Sequence, residues 1–137
     1  MSKKKQLAVG TLRESFFVRV ELNDDHVLHL AGLIESGVVL PPILVADDEG
    51  GEYERVVVDG RHRLAAYNLA GIKEVDCELR KFDSLSDMIL TALRNNVGGA
   101  LPPGSSDISH TMELLLAGGM SRKDIIAQTS KVVGFPE

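Results

Sequence analysis

A glycine and three cationic side chains are consecutive in the sequence, as Gly60, Arg61, His62 and Arg63. Glycine lets the backbone approach a ligand closely, and arginine and histidine donate hydrogen bonds to anions. Asp59 precedes them, where it would cap a helix, orient His62 or coordinate a magnesium ion. These residue types in this order indicate an anion site, and a phosphate group fits it best.

The same residues also have a purely structural interpretation. Gly60 would only make the turn, one arginine would pair with Asp59 or a neighbouring carboxylate, and His62 would be a half-buried histidine with satisfied hydrogen bonds. We favour the anion site because residues 56–58, three valines, predict a buried strand before the glycine, and residues 64–70 predict a helix after it. A helix N-terminus offers backbone N–H donors and the positive end of a dipole.

The elements that must position this turn alternate between strand and helix up to about residue 82. Apolar or alternating segments predict four strands, near residues 16–22, 42–46, 53–58 and 74–80. Asn23, Asp24 and Asp25 are short polar residues that cap a helix start, so we expect a helix after them rather than a metal site that includes His26. The acidic, glycine-containing residues 47–51 predict a hairpin with a solvated tip.

The segment after residue 83 has only helical patterns. Helices are expected from Ser84, which begins an S-x-x-D capping pattern, from Ser105 to Ala117, and from Ser121 to about Thr129. The sequence thus predicts an α/β (α+β) fold, in which a small mixed sheet with packed helices is followed by an all-helical segment. We expect a flexible arm over 1–15, a sheet domain over 16–82 and a helical segment over 83–137.

Composition limits the class of protein. A chain of 137 residues forms one domain or slightly more. It has 15 lysine and arginine residues against 20 aspartate and glutamate residues, for a formal charge of −5. This balance excludes coating of DNA by bulk attraction, so any contact with nucleic acid must be local. No uncharged apolar run approaches the ~18 residues of a membrane helix, so we expect a cytoplasmic protein with no membrane partner.

The stretch from Val56 to Ala66, with Gly71 shortly after it, resembles the signature of the ParB N-terminal superfamily, which has the ParB/sulfiredoxin fold. The resemblance extends over about residues 16–130. It implies that the Gly-x-x-Arg turn holds nucleotide phosphates. Members of the superfamily include CTP-binding DNA-partition clamps, proteins described as nucleases, ATP-dependent sulfiredoxins and a free-serine kinase.

Two departures from the superfamily narrow the choice. Sulfiredoxin-like members have a catalytic cysteine where this chain has Arg61, and Cys77 follows on a different predicted strand, so we do not expect sulfiredoxin activity. Partition clamps have a second motif, Glu-Asn-x-x-Arg, and here Asn95 replaces its glutamate and Gly99 its arginine. Asn96 matches the motif, and Arg94 would substitute for the missing arginine.

The resemblance therefore implies a nucleoside triphosphate, CTP or ATP with or without Mg²⁺, as the ligand. The residues expected to bind it are Gly60, Arg61, His62, Arg63, Arg94, Asn95 and Asn96. No resident metal site is predicted from the ligand spacing of the sequence.

Two functions fit these expectations. In the first, the chain is a nucleotide-binding, DNA-associated module of the partition or transcription-regulation type, working as a homodimer. In the second, it is a nuclease or a nucleotide-dependent phosphotransferase, with Asp59 or His62 acting on water or on an acceptor hydroxyl. We favour the binding module because the sequence has no clear acidic cluster and no catalytic cysteine at the turn.

The helical segment resembles the start of a helix-turn-helix. The helix from Ser105 and the helix from Ser121 would be its first two helices, and Pro136 would begin the helix that enters the major groove. We therefore expect the sequence to be part of a longer protein whose DNA contacts lie mainly in the helical and following regions. The structural alternative is a plain helical appendage on the sheet domain.

Overall fold

The computed structural model describes residues 2–14, 22–97 and 105–133. They form two compact units: the described residues up to 81 make the first, and those from 82 onward make the second. The first unit contains the sheet and the glycine turn. The second is helical.

The first unit is a four-stranded mixed sheet with two helices. Its elements in chain order are β1 (Ser2–Ala8), a short 3-10 turn (Val9–Thr11), α1 (Asp24–Glu35), β2 (Ile43–Ala46), β3 (Val57–Asp59), α2 (Arg61–Leu69) and β4 (Glu74–Arg80). The strand order is β1-β4-β2-β3, in which β4 is antiparallel to β1 and parallel to β2, and β2 is antiparallel to β3. The predicted α/β class with a small mixed sheet is confirmed.

The core of this unit forms where apolar side chains alternate along the strands. In β4, Val75, Cys77 and Leu79 are buried whereas Glu74 and Asp76 are exposed, as expected for a strand with one face on the core. The main cluster joins three β4 side chains to others from β1, β2, β3 and α2: Leu7, Ile43, Val45, Val57, Leu64, Val75, Cys77 and Leu79. A second cluster lies between α1 and α2: Val27, Leu30, Ala31, Leu40 and Ala66.

The start of α1 agrees with the sequence analysis. Asn23 is the N-cap, and its side-chain Oδ1 accepts a hydrogen bond from the backbone N–H of His26 at 2.9 Å. Asp24 and Asp25 lie in the first turn, where their charges interact favourably with the helix dipole. Within residues 2–14, 22–97 and 105–133, no group of three or more His, Cys, Asp or Glu side chains is arranged to hold a metal ion.

The expectation of a flexible arm over residues 1–15 is wrong for the first strand. Ser2–Ala8 pairs with β4 in seven register positions, including Lys4 with Glu78 and Leu7 with Val75. Leu7 is 4% exposed, so the strand contributes one side chain to the core. The pairing of Lys4 with Glu78 places opposite charges on neighbouring strands. This strand was not predicted from the sequence because lysine has a low strand propensity and because the paired residues lie about 70 positions away in the chain.

The return strand of the hairpin is shorter than the predicted 53–58. β3 covers only Val57–Asp59, because residues 52–55 form turns and Arg55 has a positive φ of 63°. The tip is held by its own carboxylates: Asp48 Oδ2 accepts from the N–H of Tyr53 at 3.0 Å, and Glu54 Oε2 accepts from the N–H of Gly50 at 3.3 Å. The predicted strand over 16–22 lies almost entirely outside the described residues, and Leu22 is in no strand.

The second unit contains three helices that contact one another: α3 (Leu85–Val97), α4 (Ser105–Ala117) and α5 (Arg122–Val133). The two S-x-x-D patterns act as predicted, since Ser84 Oγ accepts from the N–H of Asp87 at 3.1 Å and Ser121 Oγ accepts from the N–H of Asp124 at 3.2 Å.

No strand occurs in the described residues beyond 84. The expected recognition helix at Pro136 lies outside those residues. Across both units, the described helices include none with the length and apolar character that a bilayer span requires.

Candidate phosphate site

Gly60 joins the end of β3 to the start of α2 and is the N-cap of that helix, with φ 121° and ψ 22°. L-amino acids rarely adopt this conformation, and the space is also closed to a side chain. A Cβ at this position would lie 3.1 Å from both Cγ1 and Cγ2 of Ile43 and 3.3 Å from Nη2 of Arg63. The turn therefore requires glycine on two independent grounds.

The N-terminus of α2 follows the end of β3 after a single residue, Gly60. The first intrahelical bond shown here runs from the N–H of Leu64 to the carbonyl oxygen of Gly60 at 2.8 Å. Backbone N–H groups earlier in a helix have no partner within that helix, and Gly60 has no side chain to cap them. The donors and the positive dipole end are the features by which helix N-termini bind phosphate.

Arg63 is held by the protein's own backbone. Its Nη1 donates to the carbonyl oxygens of Pro41 and Pro42, both at 2.8 Å, and its Nη2 donates to Asp59 Oδ2 at 3.3 Å. The side chains of Arg63 and Asp59 are 16% and 26% exposed, so this ion pair is only partly screened by water. The structural interpretation, in which an arginine pairs with Asp59, is thus observed. The same bonds fix the start of β2 to the glycine turn.

His62 is 9% exposed and points away from solvent. Its Nε2 accepts a hydrogen bond from the backbone N–H of Asn23 at 2.9 Å. The ring of His26 lies against it in an edge-on arrangement, with ring centroids 5.4 Å apart, and His29 stacks on His26 at 6.4 Å. Sequence reasoning identified His62 as a half-buried candidate and Asn23 as a cap, but no local pattern relates positions so far apart along the chain.

The remaining predicted ligands divide between the two units. Arg61 is partly exposed at the first position of α2, beside Gly60. Arg94 and Asn95 are exposed near the end of α3, in the second unit, and the side chain of Asn96 lies outside the described part of the structure. The structure therefore brings together Asp59 and residues 60–63, and the contribution of α3 stays a prediction.

Cys77 is unsuited to nucleophilic chemistry. The side chain is buried in the sheet core, and burial raises the pKa of its thiol to about 11, with a further increase from Asp76 and an opposing effect of Arg55. The thiolate is the reactive form of cysteine, so this thiol is inert at neutral pH.

Comparison with known proteins identifies relatives of this fold. The family profile described as ParB N-terminal domain matches residues 2–97. A search of the curated proteins found no significant match. Solved structures match over nearly the whole chain, although at low sequence identity.

One of these structures is the chromosome-partitioning protein ParB from Caulobacter crescentus, truncated at its C-terminus and complexed with CTP-γ-S. It has a TM-score of 0.62 and 23% identity over 93% of this chain and 70% of the other. The same protein complexed to the centromeric parS site has a TM-score of 0.60 and 19% identity, covering 95% and 68% of the two chains. A pNOB8-like ParB N-domain has a TM-score of 0.62 and 16% identity, and this chain covers 49% of its length.

Proposed function

Because this chain belongs to the ParB N-terminal domain family, we propose that it binds a nucleoside triphosphate through the turn that joins β3 to α2. The observation that supports the proposal most directly is the closed, positive-φ conformation of Gly60 at the N-terminus of α2. Such a turn brings backbone donors close to a phosphate and leaves no space for a side chain that would block it.

The nucleotide that we propose first is CTP. The Caulobacter ParB structure contains CTP-γ-S, and it shares this fold with the chain. ATP is the second candidate, and Mg²⁺ would accompany either nucleotide because it bridges phosphate oxygens in most triphosphate sites. The acidic side chain next to the turn, Asp59, is the nearest group of a type that Mg²⁺ prefers.

Within the turn we assign the phosphate contact to Arg61 and to the backbone donors of α2. Arg61 is the first residue of α2, directly after Gly60, and its side chain is partly exposed. Arg94, Asn95 and Asn96 are proposed as further ligands from α3.

Hydrolysis or phosphotransfer by Asp59 or His62 is not part of this proposal. A general base must be able to reach the proton that it removes. In this structure the Asp59 carboxylate is paired with Arg63, and Nε2 of His62 already accepts a hydrogen bond from the backbone. A binding module therefore agrees better with the geometry than an enzyme does.

We propose that the nucleotide serves association with DNA, in a protein of the partition type that works as a homodimer. The Caulobacter relative is complexed to the centromeric parS site, and α4 and α5 correspond to the two helices expected at the start of a helix-turn-helix. The sheet unit would then bind nucleotide, and the helical unit would be the part that associates with DNA.

Isothermal calorimetry with CTP, ATP and GTP, each with and without Mg²⁺, tests the nucleotide proposal. We expect saturable binding of one of them, strengthened by Mg²⁺. Arg61→Ala should weaken binding by about tenfold to a hundredfold, as expected for loss of a charge-assisted hydrogen bond. Arg122→Ala removes an exposed arginine from α5 and is the matched control, which should bind as the unmodified protein does. No binding of any of the three nucleotides would contradict the proposal.

A further inference from the structure

The bond between Asn23 and His62 determines the state of the histidine. A backbone N–H can only donate, so Nε2 of His62 at 2.9 Å must be the acceptor and must have no proton. In the neutral imidazole the single proton then lies on Nδ1. The chain therefore uses this ring in its uncharged form, although it lies at the N-terminus of a helix between two arginines.

The same bond connects the first turns of two helices. Asn23 is the N-cap of α1, and His62 is the second residue of α2. The side chain of Asn23 also accepts from the N–H of His26, whose ring contacts His62 at 5.4 Å. The imidazole is thus packed and bonded against the start of α1 while its own backbone forms part of the glycine turn.

We propose that His62 is a positioning residue, whose unprotonated Nε2 holds the N-terminus of α1 and so fixes the phosphate-binding turn, rather than a ligand of the phosphate. This inference rests on the proposed nucleotide function for its effect on binding. Its structural half, the state and partner of Nε2, stands independently of any ligand.

Among the residues that the structure describes, charged groups near His62 belong to three elements. α1 presents His26, with His29 stacked behind it, and has Asp24 and Asp25 in its first turn. α2 contributes Arg61 and Arg63, and β3 ends in Asp59, which is paired with Arg63. Protonation of Nε2 would replace the acceptor by a second donor that faces the Asn23 N–H, and it would add a third positive charge to the first turn of α2.

This arrangement predicts the sign of the pH dependence. The bond to the Asn23 N–H requires an unprotonated Nε2, so the stability that this bond contributes is lost as the pH decreases through the ordinary histidine range, about 7 to 5.5. Nucleotide affinity should fall with it, by about threefold to tenfold, since one neutral hydrogen bond orders the turn. A histidine that contacts phosphate would give the opposite sign, because the protonated ring attracts the anion.

His62→Gln and His62→Leu test the proposal in the full chain. The amide oxygen of glutamine accepts the Asn23 N–H but does not titrate, so His62→Gln should keep its melting temperature and nucleotide affinity and lose most of the pH dependence of both. His62→Leu should be weakened at every pH. His29→Gln is the control, since His29 stacks on His26 rather than on His62, and it should keep the pH dependence of the unmodified protein.

Nitrogen-15 NMR of the histidine rings supplies a readout that needs no nucleotide. We expect Nδ1 of His62 to be protonated and Nε2 unprotonated at about pH 7.5, before and after CTP is added. A proton on Nε2, affinity that rises as the pH decreases, or a His62→Gln variant as weak as His62→Leu would overturn the proposal. If no nucleotide binds, the function proposed above fails, whereas the NMR and melting results still decide the role of His62.

Discussion

Gly60 lies where two separate constraints meet, one on the backbone and one on the available space. A φ of 121° costs an L-residue conformational energy, and a Cβ would approach two carbons of Ile43 at 3.1 Å. Ile43 is itself completely buried at the start of β2, so it has little room to move aside. The residue that permits the turn is thus also the one that lets α2 pack closely on the sheet.

Gly60→Ala should lower the free energy of unfolding by about 2–4 kcal/mol, because backbone strain adds to the displacement of Ile43. Gly32→Ala is a control of opposite sign. Gly32 lies within α1 with open space around it, so alanine there should raise stability by up to about 1 kcal/mol. Urea unfolding followed by circular dichroism measures both. Equal stability of Gly60→Ala and the unmodified protein would show that the turn does not require glycine.

Arg63→Ala should lower the free energy of unfolding by about 2–3 kcal/mol. The change removes the hydrogen bonds that the partly buried Arg63 side chain donates to the carbonyl oxygens of Pro41 and Pro42 and to the carboxylate of Asp59. Arg63→Lys should restore little, because a single ammonium cannot reproduce the three directed bonds of the guanidinium.

The control for the Arg63 variants is Arg122→Ala, at an exposed position of α5, which should change stability by less than about 0.5 kcal/mol. Chemical denaturation compares the variants. We expect Arg63→Ala also to weaken nucleotide binding, through disorder of the turn. A variant that loses nucleotide affinity with unchanged stability would instead place Arg63 on the phosphate.

Among the elements, β1 shows that patterns within a short segment do not predict a strand that depends on pairing with a distant segment. β4 was predicted within its observed bounds because Val75, Cys77 and Leu79 alternate with charged residues. β1 has one such buried position, Leu7, and its other support comes from pairing with β4, which only the folded chain brings alongside. Non-local pairing of this kind leaves no periodic signal in the strand itself.

The glycine turn and the capped helix starts were predictable for the opposite reason. Gly60, Asn23 and Ser84 act on residues within one turn of themselves, so their spacing in the sequence contains the information. The carbonyl partners of Arg63 and the Nε2 partner of His62 lie 21 or more positions away, at Pro42, Pro41 and Asn23, whereas the ion pair of Arg63 with Asp59 spans only four positions. The composition of the site was therefore predictable, and its network of hydrogen bonds was not.

Leu7→Ala should lower the free energy of unfolding by about 2–4 kcal/mol, since it removes a buried side chain from the main cluster. Lys5→Ala, two positions earlier and exposed, is the control and should change stability by less than about 0.5 kcal/mol. Thermal or urea unfolding distinguishes them. If Leu7→Ala were as stable as Lys5→Ala, β1 would contribute little to the fold.

For the whole molecule, net charge limits how DNA can be bound. The chain has a formal charge of −5, and the residues of α4 and α5 include as many acidic as basic side chains: Asp107, Glu113, Asp124, Arg122, Lys123 and Lys131. α5 has three basic residues against one acidic residue, but α4 has two acidic residues and neither lysine nor arginine, so the two helices together have no net excess of cations to attract phosphates independently of sequence. The association with DNA that we propose would therefore have to depend on a specific site.

We predict that the 137-residue chain binds duplex DNA of arbitrary sequence with a dissociation constant weaker than about 100 µM at physiological salt. Gel-shift titrations at two salt concentrations measure this. Replacing Asp107 and Glu113 by lysine should strengthen the binding and steepen its salt dependence, which controls for the sensitivity of the assay. Tight, salt-resistant binding by the unmodified chain would place DNA recognition in the sheet unit and favour a nuclease-type protein.

The position of β1 in the sheet also affects how the chain reaches its fold. Gln6 and Asp76, which form a hydrogen bond of 3.1 Å between the paired strands, are 70 positions apart. Among the described strands, β1 therefore cannot pair until β4 has been synthesised, and closing so long a loop is slow. Until β4 is available, an apolar strand in the position of β1 would pair with other nascent chains. Lys3, Lys4 and Lys5 repel such partners, so the run of charge that makes β1 a poor strand in isolation protects it until β4 has been made.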